Sequence, residues 1–81
     1  MQGDVIMNRI IARTAELADI DPGLITDETS LEALGLDSSD AVILAMEVEE
    51  LVGKEIEVGI FLRFGTLREA AEEISKQVRG A

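Results

Sequence analysis

The chain has 81 residues, enough for one small domain with a modest core and too few for a core and a deep catalytic cleft together. Its 17 acidic and 7 basic residues give a net charge of −10, which disfavours nucleic acid and anionic membrane surfaces as partners and favours basic protein surfaces. Cysteine and histidine are both absent, so disulfides, the usual zinc sites and Ser-His or Cys-His dyads are excluded, and any thiol chemistry has to come from an added group.

Hydrophobic residues make up 47% of the sequence, too many for a disordered acidic chain. The only aromatics are Phe61 and Phe64, so the core has to be built from Ile, Leu, Val and Ala. No apolar run approaches the ~20 residues of a membrane span. The N-terminus lacks a basic, apolar signal sequence. The expectation is a single domain over residues 1–81, monomeric and cytoplasmic.

Asp4 is a candidate cap for a first helix running to about Ala18. Ile6, Ile10 and Leu17 form its apolar stripe, widened by Met7 and Ile11, with Thr14 as the one polar interruption. Arg9 and Arg13 lie one turn apart on another face and are expected to be solvated. Asp21-Pro22-Gly23 breaks the helix. Residues 20–37 show no clear period, and Leu24, Ile25, Leu31 and Leu34 are expected to pin this long loop to the bundle. Thr29 or Ser30 can start a short turn of helix. Asp19, Asp21 and Asp27 suggest a calcium loop, but the positions that need glycine and glutamate hold Leu24 and Ser30, which rejects it.

The second helix is expected from about Ser38 to Val52. Ala41, Leu44, Ala45, Val48, Leu51 and Val52 share its core face, while Ser39, Ile43, Met46 and Glu50 share the opposite one. Asp40 and Glu47 flank that outward face on one side and Glu49 on the other. Gly53 ends the helix. Asp37 and Ser38 are both good N-cap types, and Asp40 in the first turn suits the helix dipole. Gly35 allows a sharp turn just before. The plain reading of Ser38 is a capping serine. A compatible, sharper reading is that a helix N-terminus also stabilises a phosphate carried on that serine.

Glu55-Ile56-Glu57-Val58 alternates like a strand, but a lone strand has no partner, so a loop is expected. Residues 59–64 read as a short third helix with at least one of Phe61 and Phe64 in the core. Thr66-Leu67-Arg68-Glu69 fits a capping box. Leu67, Ala70, Ala71, Ile74 and Val78 then form the stripe of a last helix to about Val78, with Lys76 and Arg79 near its negative end and Gly80-Ala81 fraying. The fold class is all-α, a small four-helix bundle of three main helices and one short one with a long first loop.

Gly35-Leu36-Asp37-Ser38, followed by Asp40, Val42 and Glu47-Val48-Glu49-Glu50, resembles the acyl carrier protein family. The similarity runs upstream through Thr29-Ser30-Leu31-Glu32-Ala33-Leu34 and downstream through Glu55-Ile56 and Thr66-Leu67-Arg68-Glu69-Ala70-Ala71. It implies the same bundle, and it implies that Ser38 of the Asp37-Ser38 motif carries a covalent 4′-phosphopantetheine arm. It further implies a non-catalytic carrier of acyl-type thioesters. Its partners would be a phosphopantetheinyl transferase and acyl- or aminoacyl-loading and chain-processing enzymes with basic docking surfaces. The docking patch would be Ile43 and Met46 at the centre, Ser39 toward the arm, and Asp40, Glu47, Glu49 and Glu50 as an acidic rim. Between Arg13 and Lys54 there are eleven acids and no Lys or Arg, a charge asymmetry suited to steering cationic partners.

Three features depart from the fatty-acid carriers: Ser39 replaces a typical leucine, Ile43 replaces a typical acid, and residues 59–64 hold no acid at all. The Phe61-x-x-Phe64-x-Thr66-Leu67 run looks more like carriers of polyketide or nonribosomal peptide pathways. The Gly-Gly often seen in aminoacyl carriers is missing. Primary fatty-acid synthesis is the alternative pathway. An unmodified acidic helical adaptor is the alternative of another class, which would leave Asp37-Ser38 as a cap only.

Overall fold

The computed structural model describes residues 2–80. Four helices follow in chain order: α1 (Gln2–Ala18), α2 (Ser38–Val52), α3 (Ile60–Arg63) and α4 (Leu67–Gly80). No strand occurs among the described residues, and residues 55–58 form a loop as expected. α1 packs on α2 and α4, α2 packs on α3, and α3 packs on α4.

The core follows the apolar stripes. Ile6 and Ile10 of α1, Leu44 and Val48 of α2, Ile60 of α3, and Leu67 and Ile74 of α4 are almost completely buried. Between them sit Ala15, Ala41, Ala45, Ala70 and Ala71, also buried. Small residues at a helix contact shorten the distance between axes. That is how a core with little aromatic volume closes. Leu51 and Val52 pack only partly against it, as do Leu17 and Val78.

Several helix ends differ from expectation. α1 starts at Gln2, so Asp4 lies inside its first turn and is not the cap. At the other end Asp19 takes φ 58°, the left-handed conformation that glycine usually supplies. α4 runs to Gly80 instead of Val78, and Ala81 lies outside the described residues. The Thr66 capping box is present: Thr66 Oγ1 accepts from Glu69 N–H at 3.2 Å, and Glu69 Oε1 accepts from Thr66 N–H at 3.2 Å.

The long loop is anchored differently from the sequence reading. Ile25 and Leu31 are buried and Leu34 partly so, but Leu24 is 71% exposed. The reason is a 3-10 turn over Pro22–Leu24, begun by Asp21 accepting from Gly23 N–H at 2.7 Å. That turn sends Leu24 outward and Ile25 inward. A second 3-10 turn covers Glu32–Leu34, and there Ser30 Oγ accepts from Ala33 N–H at 3.1 Å. The loop is also tied to the start of α4. Leu67 N–H donates to the Thr29 carbonyl at 3.0 Å and Arg68 N–H to the Asp27 carbonyl at 2.7 Å. The Arg68 guanidinium pairs with Asp27 at 3.2 Å and also with Glu28. Two of the four free N–H groups of α4 are thus satisfied by loop backbone.

Thr14 is fully buried, and its Oγ1 has no hydrogen-bond partner among the described residues. A buried, unpaired hydroxyl costs ~1–3 kcal/mol. Thr14→Val is therefore expected to stabilise the fold by ~1 kcal/mol, and Thr14→Ser, which gives up the methyl and keeps the hydroxyl, to destabilise it. Urea unfolding at unchanged m-value checks both; a valine variant less stable than the native chain would refute the assignment.

Candidate functional site: an exposed serine at the start of α2

Gly35 and the turn before it decide where α2 begins. Leu34 and Leu36 N–H groups both donate to the Leu31 carbonyl at 3.0 Å, and Gly35 sits at φ 75°. Nothing lies within 4 Å of where a Cβ on Gly35 would stand, so glycine is needed for its backbone conformation and not for space. The chain leaves this turn extended at Asp37, with φ −108° and ψ −171°, and turns helical at Ser38.

Asp37, not Ser38, is therefore the cap. Its Oδ1 accepts from Asp40 N–H at 3.2 Å, and Asp40 Oδ2 accepts from Asp37 N–H at 3.1 Å. The cap has to be the last residue with extended backbone, because only there does the side chain reach the N–H groups two and three residues on. Ser38 is the first helical residue. It is exposed, and its Oγ makes no hydrogen bond among the described residues. The expectation of a capping serine is corrected: the hydroxyl is uncommitted. The Asp37 carboxyl is held below the usual carboxylate range, chiefly by the hydrogen bond from the Asp40 N–H.

Ser38 opens onto a groove of about 360 Å³. Residues 30–32 and 36–38 form one wall, and residues 61–65 the other. This size lies near the lower end of the ~300–1,000 Å³ range of small-molecule pockets. Leu31 and Phe61, both buried, back the groove, while Leu62 is 58% exposed and Phe64 half-buried. Arg63 stacks on the Phe64 ring, 4.5 Å from its centroid.

On the outward face of α2, Ser39, Ile43, Met46 and Glu50 are exposed as expected, Ile43 at 36% and Met46 at 55%. A shallow depression of about 160 Å³ is lined by Ile43, Met46, Glu47 and Glu50. The acidic rim is less free than the charge count suggests. Asp40 is engaged with Asp37, and Glu49 accepts from Ile56 N–H at 3.0 Å. Glu47 turns toward α1, where Arg9 meets it at 2.8 Å and Arg13 at 3.8 Å. Arg9 and Arg13 are thus ion-paired and not simply solvated; Arg13 also pairs with Glu16 at 2.8 Å. Glu50 is the rim acid whose side chain has neither an ion pair nor a hydrogen bond among the described residues.

The sequence reading missed Arg63 as a wall of the groove. Its only local signal is a basic residue beside an aromatic one, and its nearness to Ser38 is purely tertiary. Among the described residues no cluster of acids could hold a metal ion, and no helix is long and apolar enough to cross a membrane.

A small helical bundle that offers an uncommitted serine hydroxyl, at a helix start beside an open groove, is a scaffold for a covalently tethered group. Comparison with known proteins agrees. The family model for the phosphopantetheine attachment site matches residues 8–74. A non-reducing polyketide synthase of Phaeosphaeria nodorum is 33% identical over 63 residues, which is 78% of this chain and 4% of that protein. No solved structure matches the chain. The chain belongs to the phosphopantetheine-attachment carrier family. Domains of this family bear a covalent 4′-phosphopantetheine, are generally non-catalytic, and work with phosphopantetheinyl transferases and synthase enzymes. The free Ser38 hydroxyl and the groove beside it fit such a group.

The separation of cap and hydroxyl has a measurable consequence. Ser38→Ala is expected to change stability by no more than ~0.5 kcal/mol, as for a surface residue without partners, whereas Asp37→Ala loses the cap and destabilises. Asp37 has a lowered folded pKa, so its stabilisation is present above the unfolded-chain value of ~3.9 and is lost as pH falls through the folded value. Asp37→Asn keeps a capping oxygen but cannot titrate, so the loss of stability as pH falls below the unfolded-chain value of ~3.9 should be shallower than in the native chain. Thermal melts across that range check this; parallel curves would refute it.

Proposed function

We propose that Ser38 carries the 4′-phosphopantetheine arm and that the chain presents acyl intermediates of a polyketide-type pathway, as thioesters, to partner enzymes. The observation that carries this is the exposed Ser38 Oγ, free of capping, at the mouth of a groove in a chain of the carrier family. When bound, the arm supplies a terminal thiol, for which a cysteine-free sequence has no substitute. Asp37 and Asp40 hold the first turn of α2 so that the hydroxyl projects in one direction. Support for the polyketide setting is the stretch shared with the polyketide synthase and an α3 without acids.

The partners that fit are a phosphopantetheinyl transferase and loading or chain-processing enzymes with basic docking surfaces. They would engage the outward face of α2, where Ile43 and Met46 offer apolar area to bury and Glu50 a charge to orient. Ser39 lies between that patch and the arm, while Asp40 and Glu47 fix the helix that bears it.

Incubation with coenzyme A and a broad-specificity transferase should add one phosphopantetheine mass. The gain should vanish in Ser38→Ala and persist in Ser39→Ala. Modification that survives Ser38→Ala would overturn the site. Loading of the modified chain by a polyketide-type acyltransferase, but not by an amino-acid-activating enzyme, is the expected cargo result; the reverse would reassign the cargo class.

Ile43→Ala and Met46→Ala test the patch. Each should leave the melting temperature almost unchanged and lower kcat/KM of a cognate enzyme by roughly tenfold, the effect of ~1.4 kcal/mol of docking energy. A stability loss of ~2–5 kcal/mol would instead mark a core position.

A further inference from the structure

We propose that Arg63 binds the phosphodiester at the root of the arm and so sets the direction in which the arm leaves α2. This rests on Ser38 being the attachment site. Ser38 and Arg63 stand on opposite walls of the same groove, and Arg63 is the one base among the residues that line it. The rest of that end is acidic: Glu32 and Asp37 line the groove, and Asp40 lies one turn further on. A phosphodiester on Ser38 adds a further negative charge to this group, next to the one cation able to offset it.

The guanidinium is poised for a second partner. Its Nε and Nη2 donate to the two carboxylate oxygens of Glu57 at 3.0 and 2.7 Å, leaving Nη1 without a partner among the described residues. The Phe64 ring under the guanidinium restricts its plane. The edge made by Nη1 and the second Nη2 hydrogen stays open, and held in this plane it suits bidentate contact with phosphate oxygens. The ion pair with Glu57 is exposed, with half of the Arg63 side chain open to solvent, so it competes weakly. The other base near this end is engaged elsewhere: Arg68, at the start of α4, holds Asp27 and Glu28.

The test uses the full chain, modified at Ser38 and verified by intact mass. The ³¹P resonance of the phosphodiester is followed in the native chain and in Arg63→Gln, Arg63→Lys, Glu57→Gln and, as a distant control on α4, Arg79→Gln. The resonance should move in Arg63→Gln, move less in Arg63→Lys, and stay in place in Arg79→Gln. Added salt should carry the native resonance toward the Arg63→Gln position, because an exposed contact is screened over ~8–10 Å at 0.1–0.15 M. Modification should also raise the melting temperature of the native chain more than that of Arg63→Gln. Glu57→Gln breaks the same ion pair but keeps the guanidinium, so it should retain the native salt response. An unmoved resonance in Arg63→Gln, or the same loss of salt response in Glu57→Gln, overturns the proposal. If no mass is gained at Ser38, the carrier reading itself fails; a gain without any Arg63 effect sinks only this inference.

Discussion

The reciprocal hydrogen bonds between Asp37 and Asp40 are the contact on which the rest of the site depends. At 3.1 and 3.2 Å they satisfy the first turn of α2 without using either of the two serines between them. Had Ser38 been the cap, its oxygen would have been bound to backbone N–H and poorly exposed. Placing the cap one residue earlier leaves a hydroxyl that is rigidly positioned yet chemically free. The two demands compete for adjacent positions, and Gly35 at φ 75° settles the competition by ending the preceding turn where it does.

The same economy governs charge. A net charge of −10 suggests a uniformly repulsive surface. The structure distributes the acids into tasks. Glu47 bridges α2 to Arg9 and Arg13, Glu49 holds the backbone at Ile56, and Asp27 with Glu28 fasten the long loop to Arg68. Each exposed pair adds little on its own. Their value is positional, because they fix the loop and α1 against the helices that carry the serine and its groove. Glu50 remains as the rim charge beside Ile43 and Met46 without such a duty.

The main helices were legible because their signals are local. The core face of α2 and the stop at Gly53 follow from period and backbone, and Thr66 with Glu69 marks α4 without reference to anything distant. The loop was less legible. Leu24 and Ile25 have nearly equal hydropathy, and only the 3-10 turn at Pro22 decides which one faces inward. The cap at Asp37 was ambiguous by one residue for a similar reason, since both neighbouring side chains carry a suitable oxygen. The pairings of Arg9 and Arg13 with Glu47 and of Arg63 with Glu57 were beyond reach: those partners lie on other elements, and no periodicity encodes a contact between elements, unlike the local Arg13–Glu16 pair within α1.

A carrier does not need the machinery of an enzyme, and the core shows how little suffices. Domains of this family are generally non-catalytic, and among the described residues no charged side chain is buried, so none has to be held against desolvation. What is needed is one hydroxyl fixed in space, a surface to recognise and a scaffold stiff enough to keep the two in register. Ala41, Leu44, Ala45 and Val48 provide that stiffness by being fully buried along one side of α2. Because that side is packed shut, the groove beside Ser38 is built outside the core, between the long loop and α3. The short third helix then acts less as a structural element than as a wall, with Phe61 anchoring it in the core and Arg63 and Phe64 left at the groove.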